Sequence, residues 1–253
     1  MSFAVPAQYT SLRPFRGLFE TGVPCLMYHK LGPRPRHARI KGLYVTPRLF
    51  ARQLNELRAT GFNTPPYGRP GNGAVPPKSI ALTFDDGFTN AFTHALPVLA
   101  EHGFRAIQFL VADLVGQFNE WEVAQDEVRE PLMDPPQVRE WLAAGHEIGA
   151  HTLTHPYLTR ISFRDAREEI FASKRKLEDQ FGVPIRHFCY PYGDWNESIR
   201  ELVREAGYET ACTTEFGVNT VDTPPLGLKR IMARHQSLSI KGIKASLRKF
   251  SQG

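Results

Sequence analysis

The chain has 253 residues, 42% hydrophobic and 23% charged, and its 31 basic and 26 acidic side chains leave a net charge of +5. This length and composition support a sizeable core and exclude a disordered or fibrous chain. Twenty glycines and twenty prolines indicate many ordered turns, and without a dense Lys/Arg stripe the mild positive charge is no nucleic-acid footprint.

In chain order, residues 1–20 read as an irregular lead-in. The apolar run 23–28 (VPCLMY) has strand character and ends at His29. A basic loop rich in breakers follows (LGPRPRHARIKG), and Thr46-Pro47 then opens a helix with Leu49, Phe50, Gln53, Leu54 and Leu57 at helical spacing, closed by Gly61. Residues 79–84 (SIALTF) form a buried strand running into Asp85-Asp86-Gly87, with a helix over 90–102 and a strand over 105–111. Residues 116–136 are a long polar loop carrying Trp121. Beyond it the pattern predicts a helix over 136–144, a strand over 147–150 ending at His151, and an amphipathic helix over 162–181. A strand over 186–190, a helix over 197–206, strands over 209–213 and 229–232, and a last helix over 240–250 complete the series. Strands alternating with helices argue for a largely parallel α/β sheet, doubly wound or closed as a barrel. No internal repeat or linker divides residues 21–253, so a single domain is expected there.

No run of 18 apolar residues is present, so no transmembrane helix is predicted. The N-terminal residues lack the basic and apolar pattern of a secretory leader. Cys25, Cys189 and Cys212 share no CxxC spacing and read as reduced, buried thiols. The default compartment is cytoplasmic, with an extracytoplasmic one open if a leader was removed. The oligomeric state is not readable.

In parallel α/β architectures, functional side chains gather where strands end. Four predicted strand ends carry reactive groups: His29, Asp85-Asp86, His151 with His155, and Tyr190-Pro191-Tyr192-Gly193. Taken singly, each has an ordinary reading. Asp-Asp-Gly is a common turn, two histidines four apart occur by chance, and YPYG suits a strand-ending turn. Alternation would send Asp85 and Asp86 to opposite sides unless the strand end twists them together. Pro156 disfavours a helix at His155, so a loop folding both imidazoles to one point is expected. Two histidines and a carboxylate make a three-ligand metal set that leaves a position for water. The YPYG turn can aim a backbone N–H at a developing oxyanion. Trp121 is suited to stacking on a sugar or to packing at the rim. Arg34, Arg36, Arg39 and Lys41 are a solvated loop face or the approach for an anionic substrate.

Together and in order, TFDDG at 83–87, HTLTH at 151–155 and YPYG at 190–193 resemble the NodB-like polysaccharide deacetylases, carbohydrate esterase family 4. The early PCLMYHKLG segment at 24–32 is similar to the branch containing the poly-N-acetylglucosamine deacetylases. The resemblance implies a distorted (β/α) barrel of the NodB-homology type and a divalent metal, zinc first, with cobalt or nickel as alternatives. It implies Asp86, His151 and His155 as ligands, Asp85 as general base and the Tyr192 backbone N–H as oxyanion donor. Trp121, Tyr190 and Pro191 are the expected substrate contacts. The general acid falls on His29 of the early motif, with His235 in RIMARH as the alternative. The expected partner is an acetylated amino sugar, losing its acetyl group as acetate by metal-dependent hydrolysis. The chain departs from the family in lacking clear Asp-x-x-Asp-Trp and late Leu-x-x-His motifs. It also lacks the arginine common before the third motif, where Phe188-Cys189-Tyr190 stands. Two competing readings are a glycan-binding module without turnover, and a hydrolase for a small-molecule, lipid-linked or O-acetyl substrate.

Overall fold

Six residues from Val23 to Tyr28 form the first strand, and five of them are buried, as a strand covered on both faces requires. The computed structural model describes residue 9, residues 11–66 and residues 76–233. In chain order the elements are α1 (Arg16–Phe19), β1 (Val23–Tyr28), β2 (Lys30–Leu31), β3 (Tyr44–Val45), α2 (Pro47–Ala59), β4 (Ala81–Phe84) and α3 (Thr89–His102). There follow β5 (Ile107–Leu110), α4 (Glu120–Val123), α5 (Pro135–Ala143), β6 (Glu147–Ala150), α6 (Phe163–Phe181), β7 (His187–Cys189), α7 (Glu197–Glu205), β8 (Thr210–Phe216), β9 (Val218–Asn219) and β10 (Leu228–Met232).

Seven parallel strands run in the order β10-β8-β7-β6-β5-β4-β1, and β1 pairs with β10 to close the barrel. In that last seam Leu26 lies opposite Ile231 and Met27 opposite Met232. The short β9 pairs antiparallel with the start of β1. The expected NodB-type (β/α) barrel is therefore present, with helices following its strands.

Helix starts follow local chemistry. The Thr46 hydroxyl accepts the Leu49 N–H at 3.2 Å and Pro47 occupies the first turn of α2. Asp134 and Gln137 form a reciprocal capping box on α5. Ser162 caps α6, whose far end closes on left-handed Gly182. The outer strand faces bury Leu26, Phe84, Ile148 and Phe188 in the large core. The opposite faces enclose a smaller cluster of Cys25, Ile107, Phe109, Cys189, Cys212 and Leu228. All three cysteines are buried, and none is in a disulfide. Space inside is tight at Gly149, where a Cβ would sit 2.6 Å from the Phe109 ring and 2.7 Å from the His187 carbonyl oxygen.

Two expectations need correction. The lead-in is not wholly irregular: residues 13–15 form a 3-10 turn leading into α1, because Leu12, Phe15 and Phe19 have core to bury against. The polar loop 116–136 contains the one-turn α4, which carries Trp121. The helix over 240–250 and His235 lie outside the described residues. Among those described, no helix is long and apolar enough to cross a membrane.

Candidate active site

His29, Asp85, Asp86, His151 and Tyr190 each follow the C-terminal end of a strand, and all line one cavity of about 220 Å3. His155, Trp121 and Tyr192 join them from the connecting loops. Pro191 is buried but is not among the cavity-lining residues. Tyr190 has its ring edge-on to Phe188 and donates its hydroxyl to the Leu226 carbonyl at 3.0 Å. Tyr190 thus both packs in the core and borders the cavity, while Pro191 stands behind its lining.

Backbone conformation brings the polar groups together. Asp86 has φ 74°, which ends the extended geometry of β4. Its carboxylate therefore shares the cavity with that of Asp85, where strand alternation would have separated them. Gly87 follows at φ 79°, and a Cβ there would meet the Leu110 side chain at 2.8 Å. Beyond β6, Thr152 and His155 are left-handed at φ 65° and 69°. The Thr152 hydroxyl accepts the His155 N–H at 3.0 Å. This loop sets the two imidazole centroids 4.8 Å apart. Tyr192 has φ 60° and stacks flat on Tyr157 at 3.8 Å.

The Nε2 atoms of His151 and His155 each lie 3.3 Å from Oδ1 of Asp86. That Oδ1 is buried and makes no hydrogen bond. Two ligands bound at about 2.0–2.1 Å in a tetrahedral shell stand about 3.3 Å apart. The donor set thus fits a small divalent cation better than a hydrogen-bonded triad, in which charge-assisted bonds close to about 2.7–2.9 Å. His151 Nδ1 stands 2.7 Å from the Cys189 carbonyl oxygen, which fixes the tautomer leaving Nε2 free to ligate. Burial lowers the pKa of His155 against the opposing pull of Asp86, favouring the neutral, ligating ring. Burial works against the Asp86 charge, yet the imidazoles beside it hold the carboxyl well below the usual range. This buried Asp/His/His site could hold a metal. Asp85, His151 and Cys189 also lie close enough for a cation, but there the partners are already taken.

Asp85 is held by Arg230 of β10, a residue the motifs did not single out. Nη1 donates to Oδ1 at 2.7 Å and Nη2 to Oδ2 at 2.8 Å. The same guanidinium donates to Thr83 Oγ1, the Thr213 carbonyl and Cys189 Sγ, the last at 3.1 Å. Burial raises the Asp85 carboxyl, and the charge and hydrogen bonds of Arg230 together with the nearby histidines more than offset it. No motif marks this arginine in Leu228–Met232; its place between buried Leu228 and Ile231 and its partners on β4 and β7 give it its role.

His29 Nε2 is 3.6 Å from Asp85 Oδ2. Burial lowers its pKa, opposed by both aspartates. Trp121 stacks on His155 at 4.6 Å, so it supports a candidate ligand as well as facing the cavity. The basic loop sends Ile40 and Leu43 into the cavity lining. Its Arg34, Arg36, Arg39 and Lys41 are exposed and absent from that lining.

A closed parallel barrel with this cluster at its C-terminal end defines the NodB-type (β/α) barrels. Residues 72–211 match the polysaccharide deacetylase family, and the chain belongs to it. A chitooligosaccharide deacetylase of Sinorhizobium fredii is 33% identical over 143 residues, covering 55% of this chain and 57% of that protein. The structure of a polysaccharide deacetylase from Bacillus cereus is 28% identical with a TM-score of 0.73, covering 90% of this chain and 70% of that one. IcaB from Ammonifex degensii is 25% identical with a TM-score of 0.73, covering 89% and 96%. The chain spans 51% and 57% of the length of two curated relatives it matches.

Proposed function

We propose that the chain is a metal-dependent carbohydrate de-N-acetylase that removes acetyl groups from N-acetylglucosamine-containing saccharides. The observation that carries this is the pairing of an unsatisfied Asp86 Oδ1, 3.3 Å from two imidazoles, with a separately anchored carboxylate on the preceding residue, Asp85. Asp86, His151 and His155 would hold the ion, zinc by its preference for this nitrogen-oxygen set. When bound, it supplies a Lewis acid that acidifies water and polarises the acetamide carbonyl.

The remaining steps belong to the protein. Asp85, fixed by Arg230, accepts a proton from the attacking water. The Tyr192 backbone N–H supports the developing oxyanion. His29, beside Asp85, carries the proton to the departing nitrogen, so that an amine leaves. In the resting site burial favours the neutral His29 ring, so this proton is gained during turnover rather than held beforehand. Acetate and a free amino sugar result.

The test is acetate release by zinc- or cobalt-loaded protein from N-acetylglucosamine oligomers, with Asp85→Asn as the blank. Release by wild type that falls at least about 100-fold in the variant is expected. Equal release by both proteins overturns the assignment of the base, and no release by either overturns the de-N-acetylase reading.

A further inference from the structure

Behind Trp121 lies a buried ionic cluster with no part in the chemistry above. Lys30 is fully buried, with Nζ 2.6 Å from Glu122 Oε2 and 3.0 Å from Glu130 Oε2. The ammonium also sits 4.4 Å from the centre of the Phe88 ring. Glu130 is satisfied on both oxygens, since Oε2 accepts Tyr44 Oη at 2.7 Å and Oε1 accepts Asn90 Nδ2 at 3.1 Å. Glu122 is not. Its Oε2 takes both Lys30 and Asn119 Nδ2, the latter at 2.6 Å. No donor reaches Oε1 among the described residues, although Glu122 is only 4% exposed and lines the same cavity as His29 and Asp86.

Such a cluster is a poor way to stabilise a fold. One ammonium faces two carboxylates, and packed apolar side chains often serve a core as well or better than a buried ion pair. What the cluster does provide is a carboxylate that cannot rotate, with one oxygen locked to Lys30 and Asn119 and the other left for whatever fills the cavity. A pyranose presents hydroxyl donors around its ring, and a fixed acceptor that the bound sugar covers rejects an analogue lacking its donor.

We propose that Glu122 is a substrate-recognition residue whose Oε1 accepts a hydrogen bond from a ring hydroxyl of the bound amino sugar, with Lys30 and Asn119 holding it in place. This rests on the deacetylase reading and deepens it, since it assigns selectivity among sugars to a residue outside the metal set and its base.

Glu122→Gln tests the polarity of the contact. The carboxamide oxygen must face Lys30 and Asn119, both donors, which turns the NH2 group towards the cavity and puts a donor where the acceptor was. Acetate release is measured with zinc-loaded wild type and Glu122→Gln on the methyl glycoside of N-acetylglucosamine and on its 3-, 4- and 6-deoxy analogues. One analogue is expected to be about 10- to 100-fold poorer for wild type, and that penalty shrinks below about threefold in the variant, with the loss on the parent sugar residing in KM. Glu130→Gln disturbs the same cluster without facing the cavity, and it is expected to keep the wild-type deoxy profile. Glu122→Asp, which withdraws the carboxylate by one methylene, serves if the glutamine variant does not fold. Identical deoxy penalties in wild type and the Glu122 variant, or loss of the profile in Glu130→Gln as well, overturn the proposal. If wild type releases no acetate, the same comparisons are read as dissociation constants by ligand-observed NMR. A Glu122-dependent hydroxyl then sustains recognition while the hydrolase reading falls, and sugars that do not bind overturn both.

Discussion

Asp85 and Asp86 are chain neighbours with opposite partners, and the division of labour proposed for them follows from that. Asp86 faces two imidazoles, while both oxygens of Asp85 are taken by Arg230, 145 residues away in the chain. Where Phe188-Cys189-Tyr190 stands in place of the arginine that the resemblance implies before the third motif, the Arg230 guanidinium lies 3.1 Å from the Cys189 sulfur. The cation thus reaches the position by way of β10 instead of β7. Arg230→Ala is expected to lower acetate release at least about 100-fold and to destabilise the barrel by about 3–5 kcal/mol, because it strands a buried carboxylate. Lost packing alone would do the second without the first being repairable. In Arg230→Ala/Cys189→Arg the guanidinium returns from β7, two strands away in the barrel, into the vacated space, and recovery of tenfold or more in kcat is expected. A double variant that folds and binds zinc yet stays as slow as Arg230→Ala would refute the positioning role.

At the scale of elements, the site is assembled by strand ends that break their own geometry. Asp86, Thr152, His155 and Tyr192 are all left-handed, a conformation costing on the order of 1–3 kcal/mol for a non-glycine residue. The barrel beneath must hold them rigidly. Gly149 on β6 is part of that support, since it lets Phe109 fill the interior two residues before His151. Gly149→Ala forces a Cβ to within 2.6 Å of that ring, and about 1–3 kcal/mol of destabilisation is expected. Calorimetry should show Tm lower by about 2–4 °C per kcal/mol, and an unchanged Tm would mean the interior is looser than its geometry. The same elements show what the sequence could and could not disclose. Apolar runs such as 23–28 and caps such as Thr46 and Ser162 act locally, so strands and helices were readable to within a few residues. The Asp/His/His cluster was expected from the resemblance carried by TFDDG and HTLTH. Arg230 and Glu122 were not, because an arginine in a strand and a glutamate in a polar loop acquire meaning only from partners about a hundred residues distant. The left-handed turns escaped for a related reason: residue type permits such a conformation without requiring it.

Over the whole molecule, the candidate site lies at one end of the barrel, and the opposite end of a parallel barrel commonly serves stability. His151 follows β6 at the cavity, whereas His146 precedes the same strand, five residues earlier and about 16 Å away along the chain. His146 is 6% exposed, packs on Trp141 at 4.3 Å between ring centres, and places Nδ1 3.3 Å from the Ala106 N–H, which it accepts. Burial, aided by the Arg105 charge, lowers its pKa from 6.5 to about 4. The unfolded chain therefore binds a proton that the folded chain refuses between these values. The resulting stability is complete above pH 6.5 and is lost as pH falls towards 4. The shift sets a ceiling of about 3 kcal/mol, and about 2 kcal/mol is the better expectation for a ring that solvent still partly screens. His146→Asn keeps an acceptor for Ala106 and cannot titrate. Chemical denaturation at intervals from pH 7 to 4.5 should show wild type losing more stability than this variant, with the gap opening below pH 6.5. The histidines at the cavity end are common to both proteins, so their contribution cancels from the difference. Parallel profiles would show that His146 accepts a proton in the folded barrel without penalty, and the acid sensitivity of the fold would then lie at the catalytic end.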